Sequence, residues 1–132
     1  MRALIVDDDF YSRMTLHDML RPVAECHIAV NGEEAVGAFK KALEDGRPYD
    51  LVCMDLVMPE MDGQEALQEL RSVEKDLGVA PDDRVKVIVV SMVEDNRETN
   101  DAFFLGGADC FLVKPIVEDS LISELRNLGL VS

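Results

Sequence analysis

The chain has 132 residues, 48% of them hydrophobic and 30% charged, which fits one soluble domain with a core of its own and leaves no room for several. Asp and Glu number 27 against 13 Lys and Arg, a formal net charge of −14, so a nucleic-acid backbone would be repelled rather than neutralised, and direct nucleic-acid binding is not expected. No apolar run approaches the roughly 20 residues of a membrane span, and Met1 to Asp7 turns acidic too soon for a secretory signal.

Along the chain, apolar runs alternate with helical patterns. Ala3–Val6 is a short apolar run that ends at Asp7, Asp8 and Asp9. Leu16, Met19 and Leu20 then repeat at helical spacing, with Asp9 placed to cap the helix that carries them. Cys26–Val30 is a weaker strand candidate, followed by a helical stripe of Ala35, Phe39, Ala42 and Leu43. Leu51–Met54 is the third apolar run, and Ala66, Leu70, Val73 and Leu77 form the next stripe. Met61-Asp62-Gly63 reads as the turn and cap that open this helix. Gly78 to Arg84 is a polar spacer before the β-branched run Val85–Val90. A less regular helix over Asn96–Leu105 stops at Gly106-Gly107, Cys110–Val113 is the fifth run, and Leu121, Ile122, Leu125 and Leu128 make the last stripe. Five strand–helix repeats with strands apolar on both faces predict an open, doubly wound, parallel α/β sheet. The three cysteines, Cys26, Cys53 and Cys110, are odd in number and widely spaced, and two sit within apolar runs. They read as buried reduced thiols, and with the absent leader they suggest a cytoplasmic protein.

In such a sheet, ligands bind beyond the carboxyl ends of the strands. Those ends carry Asp7, Asp8 and Asp9 after the first run, Asp55 after the third, Ser91 after the fourth, and Lys114 with Pro115 after the fifth. Helix capping explains one acid, but capping needs no acid cluster and no lysine. Clustered carboxylates repel one another, and a hard divalent cation such as Mg²⁺ relieves the repulsion. A carboxylate beside such a cation is a competent nucleophile toward phosphorus, with an ammonium and a hydroxyl to neutralise the phosphoryl oxygens.

Three segments, Leu4-Ile5-Val6-Asp7-Asp8-Asp9, Asp50 to Gly63 with its Asp55-Leu56-Val57-Met58-Pro59-Glu60-Met61-Asp62-Gly63 core, and Lys114-Pro115, resemble the receiver domains of response regulators in two-component signalling. The resemblance covers essentially the whole chain, and its middle segment is highly specific. It implies a flavodoxin-like sheet of order 2-1-3-4-5 with five helices. It further implies that Asp55 is the phosphoacceptor, that Asp7 and Asp8 hold Mg²⁺ (or Mn²⁺) with Asp8 the more direct ligand, and that the Val57 backbone carbonyl is another ligand. Lys114 would contact the phosphoryl group across a cis Lys114-Pro115 bond, Ser91 would be the switch hydroxyl, and Phe111 the switch aromatic. The implied partners are a sensor histidine kinase or histidine phosphotransfer protein and a downstream protein target. The implied output surface is formed by the fourth helix, fifth strand and fifth helix, in a monomer or a phosphorylation-dependent dimer. Residues 1–132 read as the receiver domain with no output domain in this chain, and as a switch rather than an enzyme acting on other molecules.

The sequence departs from the pattern at Met92, where the family usually has Ala or Gly, so Met92 is expected to control access to Asp55. Apolar Val57 and Val93 offer little help in orienting an attacking water, which favours a long-lived phosphoryl state. Two other functions fit parts of the pattern. A Mg²⁺-dependent phosphohydrolase would carry an acid two residues after its nucleophile, where this chain has Val57. A non-phosphorylated pseudo-receiver would not need the intact set of Asp7, Asp8, Asp55, Ser91 and Lys114.

Overall fold

The computed structural model describes residues 1–56, 58, 61–92 and 107–132. In chain order these form β1 (Arg2–Val6), α1 (Phe10–Leu20), β2 (Glu25–Ala29), α2 (Gly32–Glu44), β3 (Leu51–Asp55), α3 (Gly63–Asp76), a 3₁₀ turn at Pro81–Asp83, β4 (Lys86–Ser91), β5 (Cys110–Val113) and a C-terminal helix (Glu118–Asn127). The expected helix over Asn96–Leu105 lies entirely outside the described residues, and so do Val57 and Val93. The five strands form one parallel sheet in the order β2-β1-β3-β4-β5, as the resemblance implied.

Strand periodicity sorts the core into two layers. Leu4, Val6, Val52, Met54, Val87 and Val89 face α2 and α3, where they bury Phe39, Leu67 and Leu70. The alternate residues, Ala3, Ile5, Leu51, Cys53, Ile88, Val90 and Cys110, face α1 and the C-terminal helix and bury Leu16, Leu20, Leu121 and Leu125. Apolar residues on both faces are what a parallel sheet covered by helices on each side demands. Cys53 and Cys110 are buried and Cys26 half-buried, all three as free thiols, and burial pushes the Cys53 thiol up to about 12.

Asp9, Asn31 and Asp62 cap α1, α2 and α3, each side chain accepting from a backbone N–H three residues on (Ser12, Glu34 and Glu65) at 2.8–2.9 Å. Such caps contribute about 1 kcal/mol each and fix where each helix leaves its loop. The amino edge of the sheet carries its own charged network. Buried Glu74 accepts from Arg71 Nη1 at 2.7 Å and from the Val85 N–H at 2.8 Å, while Arg71 also donates to the carbonyls of Val85 and Gly107. This network fastens α3 to the start of β4 and to the approach to β5, at the end opposite the acids.

Gly63 opens α3 against the end of β3. A Cβ there would lie 2.5 Å from the Asp55 carbonyl oxygen and 3.0 Å from Leu56 Cα, both backbone atoms that have no room to yield. Gly37, mid-helix in α2, has nothing within 4 Å of its would-be Cβ. Chemical denaturation should therefore separate the two alanine substitutions. Gly63→Ala is expected to cost roughly 1–3 kcal/mol by overpacking, and Gly37→Ala to stabilise by roughly 0.5–1 kcal/mol through helix propensity. Equal effects would contradict the close approach at Gly63.

Candidate functional site

The strand register builds the site. Val6 of β1 lies opposite Met54 of β3, so Asp7, the next residue, comes level with Asp55. Asp55 is itself opposite Val90, and Ser91 is opposite Val113, which puts Lys114 one step past Ser91 on the same edge. Asp55 and Ser91 are the last residues of their strands, whereas the apolar runs end one residue earlier, because each keeps its ladder partner even though its side chain is polar.

Carboxylate oxygens of Asp7, Asp8 and Asp55 all lie within 4.8 Å of one another. Asp7 is 1% exposed, Asp55 9% and Ser91 1%, while Asp8 faces solvent. Lys114 bridges two of the acids, its Nζ 2.8 Å from Asp7 Oδ2 and 3.6 Å from Asp55 Oδ2. The Lys114 backbone N–H donates to the Ser91 carbonyl at 2.8 Å, and the Lys114-Pro115 peptide is cis. Burial opposes the charge on Lys114, but the hydrogen bond it donates to Asp7 and the field of Asp55 outweigh it, so the ammonium is held above its ordinary 10.5.

Asp7 is held on every side. Its N–H donates to the Ala29 carbonyl at 3.2 Å, its Oδ1 accepts from the Asp9 N–H at 2.8 Å, and its carbonyl accepts from Arg13 Nη1 at 3.0 Å. After β3, the Leu56 N–H donates to Val90 and the Leu56 carbonyl accepts from the Gly63 N–H at 2.9 Å, which ties the loop back to the sheet.

The charge balance explains why this edge accepts a cation. At an effective dielectric of about 20, the contacts of Lys114 with Asp7 and Asp55 are worth about 6 and about 4.5 kcal/mol before desolvation, and repulsion between two carboxylates at the outer separation costs about 3.5 kcal/mol. One ammonium therefore offsets the Asp7–Asp55 repulsion, but Asp8 adds a further negative charge beside them. The donors are all oxygens, the ligand type that Mg²⁺ prefers, so Asp7, Asp8 and Asp55 would hold that ion, which would relieve their mutual repulsion.

The other expected residues take these places. Phe111 lies in β5, half-buried and packed against the α2–α3 side of the core. Met92 is 79% exposed and stands at the mouth of the site rather than packed over Asp55. With Tyr11, Ser12, Thr15, Lys114 and Ile116 it lines a cavity of about 300 Å³ beside the acids. Tyr11, like Met92, is exposed, so the cavity beside Lys114 has apolar groups at its surface. A larger cavity, about 630 Å³ between α3 and the Gly78–Arg84 loop, contains none of the site residues. Sequence reasoning missed Arg13. The available signal was its place in the first turn of α1, four residues after the Asp9 cap, from which a long side chain reaches back to the strand end.

A doubly wound sheet with three acids, a hydroxyl and a lysine at its carboxyl edge is the arrangement of a two-component receiver domain. The chain belongs to the response regulator receiver domain family, whose model matches residues 3–126. It is 35% identical to the chemotaxis protein CheY of Bacillus subtilis over 95% of this chain and 94% of that protein. It is 36% identical to histidine kinase CKI1 of Arabidopsis thaliana over 96% of this chain, which spans only 11% of that kinase. The CKI1 receiver domain complexed with Mg²⁺ and BeF₃⁻ superposes with a TM-score of 0.80 at 34% identity, covering 96% of this chain and 89% of that one. A chain in the co-crystal of the Saccharomyces cerevisiae phosphotransfer protein Ypd1 with the Ssk1 receiver domain gives a TM-score of 0.84 at 25% identity, covering 98% and 88%. Among the described residues, no helix is long and apolar enough to cross a membrane.

Because the folded Lys114 pKa lies above 10.5, the lysine's ion pairs contribute fully below that pH and are lost as pH rises through the folded value. Lys114→Met is expected to cost roughly 2–3 kcal/mol at neutral pH, less than a fully buried pair because Lys114 is partly exposed. In urea titrations, the stability gap between wild type and variant should stay constant at neutral pH and narrow above 10.5. A gap that widens there would contradict the bridge.

Proposed function

We propose that this receiver domain is a phosphorylation switch in which Asp55 takes a phosphoryl group from a phosphohistidine. The observation that carries this reading is the meeting of Asp7, Asp8 and Asp55 within 4.8 Å under the Lys114 bridge. In the reaction, an Asp55 carboxylate oxygen attacks phosphorus, the P–N bond to the donor imidazole breaks, and the imidazole leaves and takes up a proton. Lys114, already 3.6 Å from Asp55, balances charge on one phosphoryl oxygen, and the Ser91 hydroxyl donates to another. Asp7, Asp8, Asp55 and the Val57 carbonyl would hold Mg²⁺ (or Mn²⁺), which when bound supplies charge neutralisation for the remaining phosphoryl oxygens. No general acid stands two residues beyond Asp55, where the chain has Val57, so the domain catalyses its own phosphorylation and dephosphorylation and is not an enzyme for other substrates.

The donor histidine must come within bonding distance of Asp55, so its protein must cover the rim of the site. Beside Lys114 that rim carries exposed Tyr11 and Met92, which suits a sensor kinase or phosphotransfer protein as the donor. Contacts that the phosphoryl group makes in only one conformation draw Ser91 inward, Phe111 follows, and the population shifts. The altered surface, formed by the predicted Asn96–Leu105 helix, β5 and the C-terminal helix, then changes its choice of downstream protein or of a second copy. Three free cysteines fit the reducing cytoplasm.

Intact mass after incubation with acetyl phosphate and Mg²⁺ should rise by about one phosphoryl group in wild type and not in Asp55→Asn. No gain in wild type, or an equal gain in the variant, would falsify this reading. Met92→Ala is expected to react faster than wild type with acetyl phosphate. Equal rates would show that Met92, exposed as it is, places no barrier before a small donor.

A further inference from the structure

We infer that Arg13 is a positioning residue for the metal-holding acids, setting the direction of the Asp8 carboxylate through the peptide unit between Asp7 and Asp8. The inference rests on the metal-binding reading above.

The two acids are held differently. Asp7 is fixed through its side chain, with Oδ1 on the Asp9 N–H at 2.8 Å and Oδ2 on Lys114 at 2.8 Å. Asp8 is exposed, so its direction depends on the backbone that carries it. The Asp7 carbonyl and the Asp8 N–H and Cα belong to one planar peptide unit. Arg13 Nη1 donates to that carbonyl at 3.0 Å, so Arg13 fixes the plane from which the Asp8 side chain departs.

Arg13 is itself secured. Its backbone N–H donates to the Asp9 carbonyl at 3.0 Å, which roots it in the first turn of α1, and its guanidinium lies 5.8 Å from the centre of the Phe10 ring. The guanidinium is thus anchored on one face by an aromatic ring and spends a donor on a strand-end carbonyl. A cation placed beside a cation site is unfavourable by charge alone, so position is what this residue can contribute to metal binding.

That conflict gives the test its sign. If Arg13 acted only through its charge, removing it would tighten Mg²⁺ binding. If it positions Asp8, removing it weakens binding. The full chain should be titrated with Mg²⁺ by calorimetry, and with Mn²⁺ by electron paramagnetic resonance as an independent readout. Arg13→Met is expected to raise the dissociation constant by roughly 10-fold or more, the size found when groups that orient metal ligands are lost. Arg13→Lys, which keeps one donor for the carbonyl, should recover most of that loss. Amide exchange at Asp8 and Asp9 should quicken in Arg13→Met and not in Arg13→Lys. Unchanged or tighter Mg²⁺ binding by Arg13→Met overturns the inference. So does equal weakening in both variants, since keeping a donor for the carbonyl would then make no difference and a general loss of packing would account for it. Should Arg13→Met not fold, Arg13→Leu, which likewise has no donor, carries the same comparison. Failure of the metal-binding reading would look different: wild type itself would not bind, and Asp8→Asn would change nothing.

Discussion

The structure turns on the ammonium of Lys114 standing between buried carboxylates. Parallel strands deliver Asp7 and Asp55 to one level at one edge, where each is nearly shut off from water. Two such charges could not remain there unaided, because desolvation and mutual repulsion both oppose them. Lys114 reaches back across β4 from the end of β5 to touch both. The resulting arrangement is stable without being satisfied, since Asp8 leaves a surplus of negative charge at the rim. In the proposed function, a divalent cation would meet that surplus negative charge and an incoming phosphoryl group would meet the Lys114 ammonium.

The rest of the fold keeps that edge in place. Alternate strand residues lock the sheet between two helical layers, so the strand ends cannot slide without exposing a core face. Capped helices leave the site loops at fixed points, and Gly63 lets α3 start against the Asp55 carbonyl. The opposite edge is fastened by the Arg71–Glu74 network and by Tyr49, whose hydroxyl pairs with His27 while its ring receives Arg2. Charged and polar tethers hold the amino edge, leaving the carboxyl edge for chemistry.

Much of this could be read from the residues alone. Uninterrupted apolar runs such as Val85–Val90 declared a sheet covered on both faces, and the polar residue after each run marked the ligand-binding edge. The caps at Asp9 and Asp62 were legible because a short acid before a helical stripe has a local reason to be there. The strand order and the cis Lys114-Pro115 bond came from the family resemblance and not from spacing. What stayed hidden depends on pairs far apart in sequence. Nothing local reveals that Arg71 meets Gly107, or that His27 meets Tyr49, because those contacts exist only once the sheet is assembled. Strand ends were displaced by one residue at Asp55 and Ser91, since hydropathy stops where the side chain turns polar while backbone pairing continues. Met92 looked like a cover for Asp55 from its position. In the fold it stands 79% exposed, which bears on its reach but not on the rate it sets.

The central claim is that Asp55, and neither Asp7 nor Asp8, carries the phosphoryl group. Three carboxylates within 4.8 Å make that a question of identity that the mass gain of wild type alone does not answer. Reductive trapping answers it: borohydride converts an aspartyl phosphate to homoserine, and peptide mass spectrometry then reads its position. After treatment with phosphodonor and Mg²⁺, the account predicts homoserine at position 55 alone. Homoserine at position 7 or 8, with Asp55 intact, would contradict it.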